Sequence, residues 1–499
     1  MTKLNQPHIT LAENDVIPPT NVLRPRTLVL CFDGTGDQFD NDNSNVVQLF
    51  SLLQKDDHRQ QMVYYQAGIG TYTVPQIATP IMSKVSKAMD EAVAWNLDAH
   101  VMDGYSFLME NYQGGDKICL FGFSRGAYTA RSLAGMIQKV GLLPAGNHQQ
   151  VPFAYKMYTR ASEQGWKQSA AFKKAFSIDV DVEFVGVWDT VCSVGLISRR
   201  LPFVSSNSAI RFFRHAVSLD ERRAKFKANL YNRPTEAESK LGVQPGQMPK
   251  SGVTPSSSKL GMPEAVQDWI HKTTNSAQLE EQRQAEREIE FTKQDHNALD
   301  TDVKEVWFAG CHCDVGGGSV PNDTRHNLAR IPLRWMIRQC FLTNTGIRFH
   351  SSLLKKVGLD SASLYPIVQP RPPALYFTPT HNRTPTDATL VGTEDSDKHL
   401  TEEEEDLKDA LSPVYDQLLL KPFWWILELL PLSQRYQRKD NTWIEKLVIN
   451  RGRGRVVPKF TEKDFYVHRS VKIRMDGKGL KGGSYSPKAR FSTEPTWVD

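Results

Sequence analysis

A serine hydroxyl is a useful nucleophile only when it stands clear of the backbone, with a base in reach and amide donors facing the developing oxyanion. Ser124 has a sequence suited to that position. Gly122 and Gly126 flank it in a G-x-S-x-G pattern, the apolar run Ile118–Phe121 reads as a strand before it, and Thr129–Ile137 reads as a helix after it. A tight strand-to-helix turn strains the backbone and leaves almost no room for side chains at 122 and 126. Ala127 and Ala130 then let the helix lie close to the sheet. The backbone N–H of Arg125, at the helix start, is the expected first oxyanion donor.

A serine elbow needs a histidine and an orienting carboxylate, which follow it in the order serine, acid, histidine. In a parallel sheet such groups sit beyond the carboxyl ends of strands. Asp189 closes EFVGVWD and His312 closes EVWFAGCH, so both fit. Asp189 can also be read as a turn or helix cap. Asp314 is the rival acid and His468 the rival base, while His215 and His326 read as structural or surface residues. The run Cys311–Asp314 invites a metal, but C-H-C lacks the C-x-x-C spacing and no second pair follows, so neither a metal nor another cofactor is expected. Gly316–Gly318 suggests backbone packed closely against a substrate cavity. The stretch LCFDGT resembles the start of an aspartyl phosphatase, yet Cys31 stands where that chemistry needs its nucleophilic carboxylate. Gly34 or Thr35 is instead the expected second oxyanion donor. The acids at 33, 37, 40 and 42 lack the spacing of a calcium loop.

These residues require a sheet to hold them. Thr27–Phe32 is a continuous apolar run typical of a buried parallel strand, and Met62–Gln66, Glu183–Trp188 and Glu305–Ala309 read as further strands. Helices are expected over Lys84–Tyr112 and around Ile331–Phe341. Alternation of strands and helices implies a mostly parallel sheet covered on both faces.

With 499 residues, 40% hydrophobic and 23% charged, the chain has the composition of a globular protein. A net charge of +5 argues for no nucleic-acid partner, and no apolar run reaches transmembrane length. The first residues lack the apolar core of a signal peptide. Six cysteines make no disulfide framework, and the cytoplasm is the expected compartment. The segment Leu418–Leu432 is the most hydrophobic of the chain. Burial against the catalytic domain is expected, with peripheral membrane contact through Trp424 and Trp425 as the alternative. Glu402–Asp406 reads as a solvated helix face, and the basic tail around 449–475 as lipid-docking charge or a pair of edge strands.

Taken in order, FDGT, FGFSRGAYTAR, VWDTV, HAVSLDERR, VWFAGCHCDVGGG and PLRWMI resemble the α/β-hydrolase family typified by the type VI secretion phospholipase effector catalytic domain. The resemblance implies an α/β-hydrolase-like fold and a triad of Ser124, Asp189 and His312 that cleaves lipid or small-ester acyl bonds without a metal. HAVSLDERR belongs to the pattern, with ionic scaffolding as its default role. The expected organisation is a polar leader (1–26), a catalytic domain (27–369) with a mobile insertion near 233–300, and an extension (370–499) packing on or capping it. A catalytically silent binding module, a thioesterase and a peptidase remain the alternatives.

Overall fold

The computed structural model describes residues 15–19, 25–34, 37–68, 82–191, 201–204, 207, 209–232, 243, 247–248, 301–376, 400–437, 443–457, 465–477, 480, 483–491 and 493–499. The expected mobile insertion lies almost wholly outside them.

Thr27–Phe32 (β2) forms where the sequence places it, and every residue of it is buried. It pairs in parallel with Gln61–Gln66 (β3) on one side and Lys117–Phe123 (β4) on the other. The sheet continues in parallel through Val182–Trp188 (β5), Ile210–Ser218 (β6) and Asp302–Phe308 (β7). It closes with Tyr466–His468 (β11) and Thr496–Val498 (β12), giving eight strands in the order β12-β11-β7-β6-β5-β4-β2-β3. The order reverses between β2 and β4, and such a switch point opens a crevice at the carboxyl edge. With helices on both faces, this is an α/β-hydrolase-like fold.

Side chains alternate across each strand, so one run feeds two cores. Leu28, Leu30 and Phe32 pack with Leu120 and Val185 under the helices Met82–Asn111 (α2), Ser124–Val140 (α3), Val151–Thr159 (α4) and Glu163–Phe176 (α5). Val29, Cys31, Phe121, Phe184 and Trp188 face the other way, onto Asn45–Leu52 (α1) and Arg330–Leu342 (α7). Register aligns Phe32 with Gly122, Phe123 with Trp188 and Ser218 with Phe308, so the loops after these strands meet at one edge.

Three expectations change. Within the polar leader, Val16–Ile17 (β1) pairs antiparallel with Phe349–His350 (β8), just before the short helix Ser351–Lys356 (α8), and Ile17 is buried. Beyond residue 370, β11 and β12 are strands of the central sheet, with Trp307, Phe465 and Val467 in a shared apolar cluster. The acidic run is not solvated: Glu402–Ala410 (α9) turns Glu405, Asp406 and Asp409 inward. There Asp406 meets Arg334 at 2.5 Å and Arg371 at 2.9 Å, and Glu405 meets Arg330 at 2.9 Å. An acidic stretch reads as surface only because its cationic partners are remote in sequence.

His468, the rival base, ends β11 buried, stacked on Phe308 and accepting the Ser470 N–H as the cap of Arg469–Asp476 (α12). Burial pushes its pKa down to about 3, Asp406 opposing and Arg371 adding to the fall. Such a base stays neutral in the fold while the unfolded chain takes up a proton, so its stability contribution is lost as pH falls below about 6.5. The expected loss is roughly 3 kcal/mol between pH 7 and pH 4.5. Denaturant titrations across that range should show it, and His468→Asn, which keeps a capping group, should flatten the dependence by about one proton. An unchanged slope contradicts the assignment.

Candidate active site

Ser124 sits where β4 becomes α3, at φ 57°, a left-handed conformation that a non-glycine residue holds only under strain. The flanking glycines are obligatory. A Cβ on Gly122 would collide with the backbone at Gly126 and Ala127, and one on Gly126 would collide with the Phe32 and Asp33 carbonyls. The elbow therefore wedges between β4 and the end of β2.

The Ser124 hydroxyl lies 2.8 Å from His312 Nε2, and His312 Nδ1 lies 2.5 Å from Asp189 Oδ2. His312 opens a short helix, His312–Gly316 (α6), at the end of β7. Asp189 follows β5 at φ 40°, with its N–H bonded to the Ala216 carbonyl at 2.8 Å. All three residues are buried, with Ser124 only 6% exposed. Both His312 nitrogens thus have partners within the cluster. The rival acid Asp314 points elsewhere, accepting N–H bonds from Cys311 (2.8 Å) and Tyr415 (3.0 Å).

Burial alone would raise the Asp189 carboxyl, but the Arg455 guanidinium and His312 hold it well below the usual carboxylate range. Arg455 forks onto both oxygens, at 2.5 and 2.9 Å, and the Ser218 N–H donates to Oδ1 at 2.9 Å. Arg455 itself bonds the carbonyls of Ser218 (3.1 Å) and Phe226 (2.5 Å). No sequence signal marked it: it lies in a basic loop far beyond the other site residues, and only the fold brings it in.

HAVSLDERR proves to be the frame of the cluster. His215 Nε2 accepts the Thr190 N–H at 3.1 Å, and its Nδ1 bonds Glu305 at 2.8 Å, fixing the turn after Asp189. Asp220 accepts the Gly310 N–H at 2.7 Å, and Glu221 accepts the His312 N–H at 3.3 Å while pairing with Arg223 at 2.8 Å. His326 lies apart, beside Asp409 at 3.2 Å.

The donor side departs from expectation at Gly34, whose N–H goes to Asp33 Oδ1 at 2.8 Å. Asp33 also accepts from Ser44 (2.5 Å) and Tyr65 (2.7 Å), so it organises this loop. Thr35 lies outside the described residues. Arg125 is in the first turn of α3, where backbone N–H groups have no intrahelical acceptor. The triple glycine packs on protein: Gly316 against the Phe123 ring and Gly317, at φ 87°, against Ser44 and Asn45.

A family model described as "T6SS, Phospholipase effector Tle1-like, catalytic domain" matches residues 26–339. The chain belongs to this family. Tle1-like phospholipase effectors are hydrolases of lipid esters, which places the cluster in a lipase-type chain. The chain is 28% identical to the uncharacterized protein YEL023C of Saccharomyces cerevisiae, over 93% of this chain and 81% of that one. Two solved structures are similar at lower identity. An uncharacterized protein from Pseudomonas aeruginosa is 16% identical with a TM-score of 0.34, over 68% of this chain and 50% of that chain. The Tle1 effector bound to the VgrG spike of the type 6 secretion system is 17% identical with a TM-score of 0.28, over 60% and 52%. The chain spans about half the length of these two solved chains. Arg455 falls outside the matched family segment, so this Tle1-like chain completes its cluster with a residue from its extension.

Arg455→Ala should leave Asp189 as a buried charge short of its partner and cost about 3–5 kcal/mol in denaturant unfolding. Arg455→Lys, which keeps the charge but not the fork, should recover part of it. A loss below about 1 kcal/mol, in the range of exposed pairs, would contradict this.

Proposed function

We propose that the chain is a serine esterase that cleaves acyl esters of phospholipids through an acyl-enzyme. The observation that carries this reading is the unbroken relay from the Ser124 hydroxyl through His312 to Asp189, at 2.8 and 2.5 Å, in a lipid-esterase family. Ser124 Oγ attacks the ester carbonyl carbon while His312 Nε2 takes its proton. The tetrahedral oxyanion faces the Arg125 N–H and the positive end of α3. A second N–H comes from the loop after β2, from Thr35 or from Gly34 once it exchanges its bond to Asp33. Collapse expels the alcohol, a lysophospholipid, which takes the proton from His312. Water then attacks the acyl carbon, passes a proton to His312 and releases the fatty acid with Ser124 restored.

Electrostatics favour this division of labour. Burial is the main cause holding the His312 pKa below its ordinary value, against the opposing pull of Asp189. A lowered value keeps the ring neutral, and so a competent base, at neutral pH. The acid limb of kcat/KM should therefore inflect below pH 6.5, since the base is lost only as pH falls through the folded value. An inflection above 6.5 contradicts it.

Incubation with phosphatidylcholine, phosphatidylethanolamine and phosphatidylglycerol should release fatty acid and lysolipid in equal amounts. Asp189→Asn should lower turnover by about 10⁴-fold, since the ring loses the partner that fixes its tautomer, while Asp314→Asn should have far less effect. Release of a phosphorylated headgroup, or the reverse order of the two variants, would overturn the reading. Hydrolysis of thioesters or peptides alone would favour a different acyl substrate on the same triad.

A further inference from the structure

The segment expected to be core is largely outside it. It folds as Gln417–Leu420 (α10), a single turn Pro422–Trp424 and Trp425–Glu428 (α11), leading into the hairpin of Pro431–Gln437 (β9) and Trp443–Ile449 (β10). Leu419, Leu420, Phe423, Ile426 and Leu429 are each 54–68% exposed, and Leu447 of β10 is 75% exposed. A cluster of this size is unusual on a protein surface without a function.

We propose that this apron is a docking surface for an anionic phospholipid bilayer, seated in the plane of the headgroups beside the catalytic cluster. The proposal rests on the phospholipid reading above for its substrate, but not for its test. Charge is the first argument for this occupant. Lys421, Lys446, Arg451 and Arg453 are exposed around the apolar residues. The two acids between 416 and 430 are turned inward: Asp416 onto Arg222 and Lys488, Glu428 onto backbone and Asn450. Aromatic and aliphatic side chains rimmed by lysine and arginine match the interface of an anionic membrane, where the apolar groups enter the acyl boundary and the cations meet phosphate. Among the described residues no helix is long and apolar enough to cross a membrane.

Continuity with the active site is the second argument. Glu428 accepts the Ala224 N–H at 2.5 Å, which mounts the apron on the loop that frames the cluster. Trp424, half-buried, meets the edge of Phe226 at 5.5 Å, and Phe226 meets His312 at 4.9 Å. Arg223 lies 3.5 Å over Phe226 and 5.0 Å from the Trp424 ring. A bilayer engaged by Phe423 and Ile426 thus lies a few side chains from Ser124.

The test uses full-length protein carrying Ser124→Ala, which binds without turnover, and vesicles of phosphatidylcholine with or without phosphatidylserine. It should sediment with the phosphatidylserine vesicles, less so as salt rises. Adding Leu419→Ser, Phe423→Ser, Ile426→Ser and Leu429→Ser should reduce partitioning by about tenfold or more. In the Ser124 background the same four changes should spare hydrolysis of a short soluble ester, which also reports an intact fold. If the quadruple variant fails to fold, Ile426→Asp and Lys421→Glu serve singly, each expected to weaken binding several-fold. Unchanged vesicle binding in the variants overturns the proposal. So does a parent that ignores vesicles but forms a dimer dissolved by the same changes, which would mean that a second copy covers the apron. Vesicle binding without hydrolysis of any ester by the Ser124 protein would instead leave docking standing and reject the proposed activity.

Discussion

Asp189 is a fully buried carboxylate, and a bare charge there would cost the fold more than any one contact could return. Three groups answer it: the Arg455 fork, the Ser218 N–H and His312. Each arrives on a different element, so one charge ties β5, the end of β6, α6 and a loop of the extension together. The arrangement has a chemical consequence. Arg455 and His312 keep the carboxylate ionised where burial alone would favour its neutral form. Burial, the larger effect, holds His312 below its ordinary pKa despite the opposing pull of Asp189.

The frame around the triad shows the same economy. Glu221, Asp220 and His215 are buried, and each bonds a backbone N–H of the turns that carry Asp189 and His312. Such partners restrict the rotamers and loop geometry of Ser124, His312 and Asp189, which the proposed relay needs held closely. Ionic scaffolding, the default reading of HAVSLDERR, describes Glu221 and Arg223 well. It misses the backbone acceptors, which depend on a register that spacing alone does not reveal.

Much of the central sheet, and the meeting of Ser124, His312 and Asp189, was legible because both are written locally. Thr27–Phe32 is an uninterrupted apolar run, and Ser124, Asp189 and His312 each stand at the end of one. Residues whose meaning depends on distant partners were illegible. Arg455 reads as one of several arginines in RGRGR until β11 joins the sheet and brings its loop home. Glu402–Asp406 reads as solvated because its partners are remote in sequence: Arg330 and Arg334 on α7, Arg371, and Arg469. Leu418–Leu432 reads as core because apolar runs of that length usually are, and only exposed side chains such as Leu419, Phe423 and Ile426 reverse it. Gly34 was assigned by its place beside the elbow, with nothing in the sequence to show that Asp33 takes its N–H.

In the proposed mechanism Ser124 alone is activated, by a base held through a charge-balanced aspartate. A fluorophosphonate reagent forms a stable phosphonyl ester only with a serine so activated, which makes site mapping direct. After reaction at neutral pH and proteolysis, tandem mass spectrometry should find one adduct per chain, on Ser124. Adduct on a different serine, or no adduct on folded protein, would contradict the account.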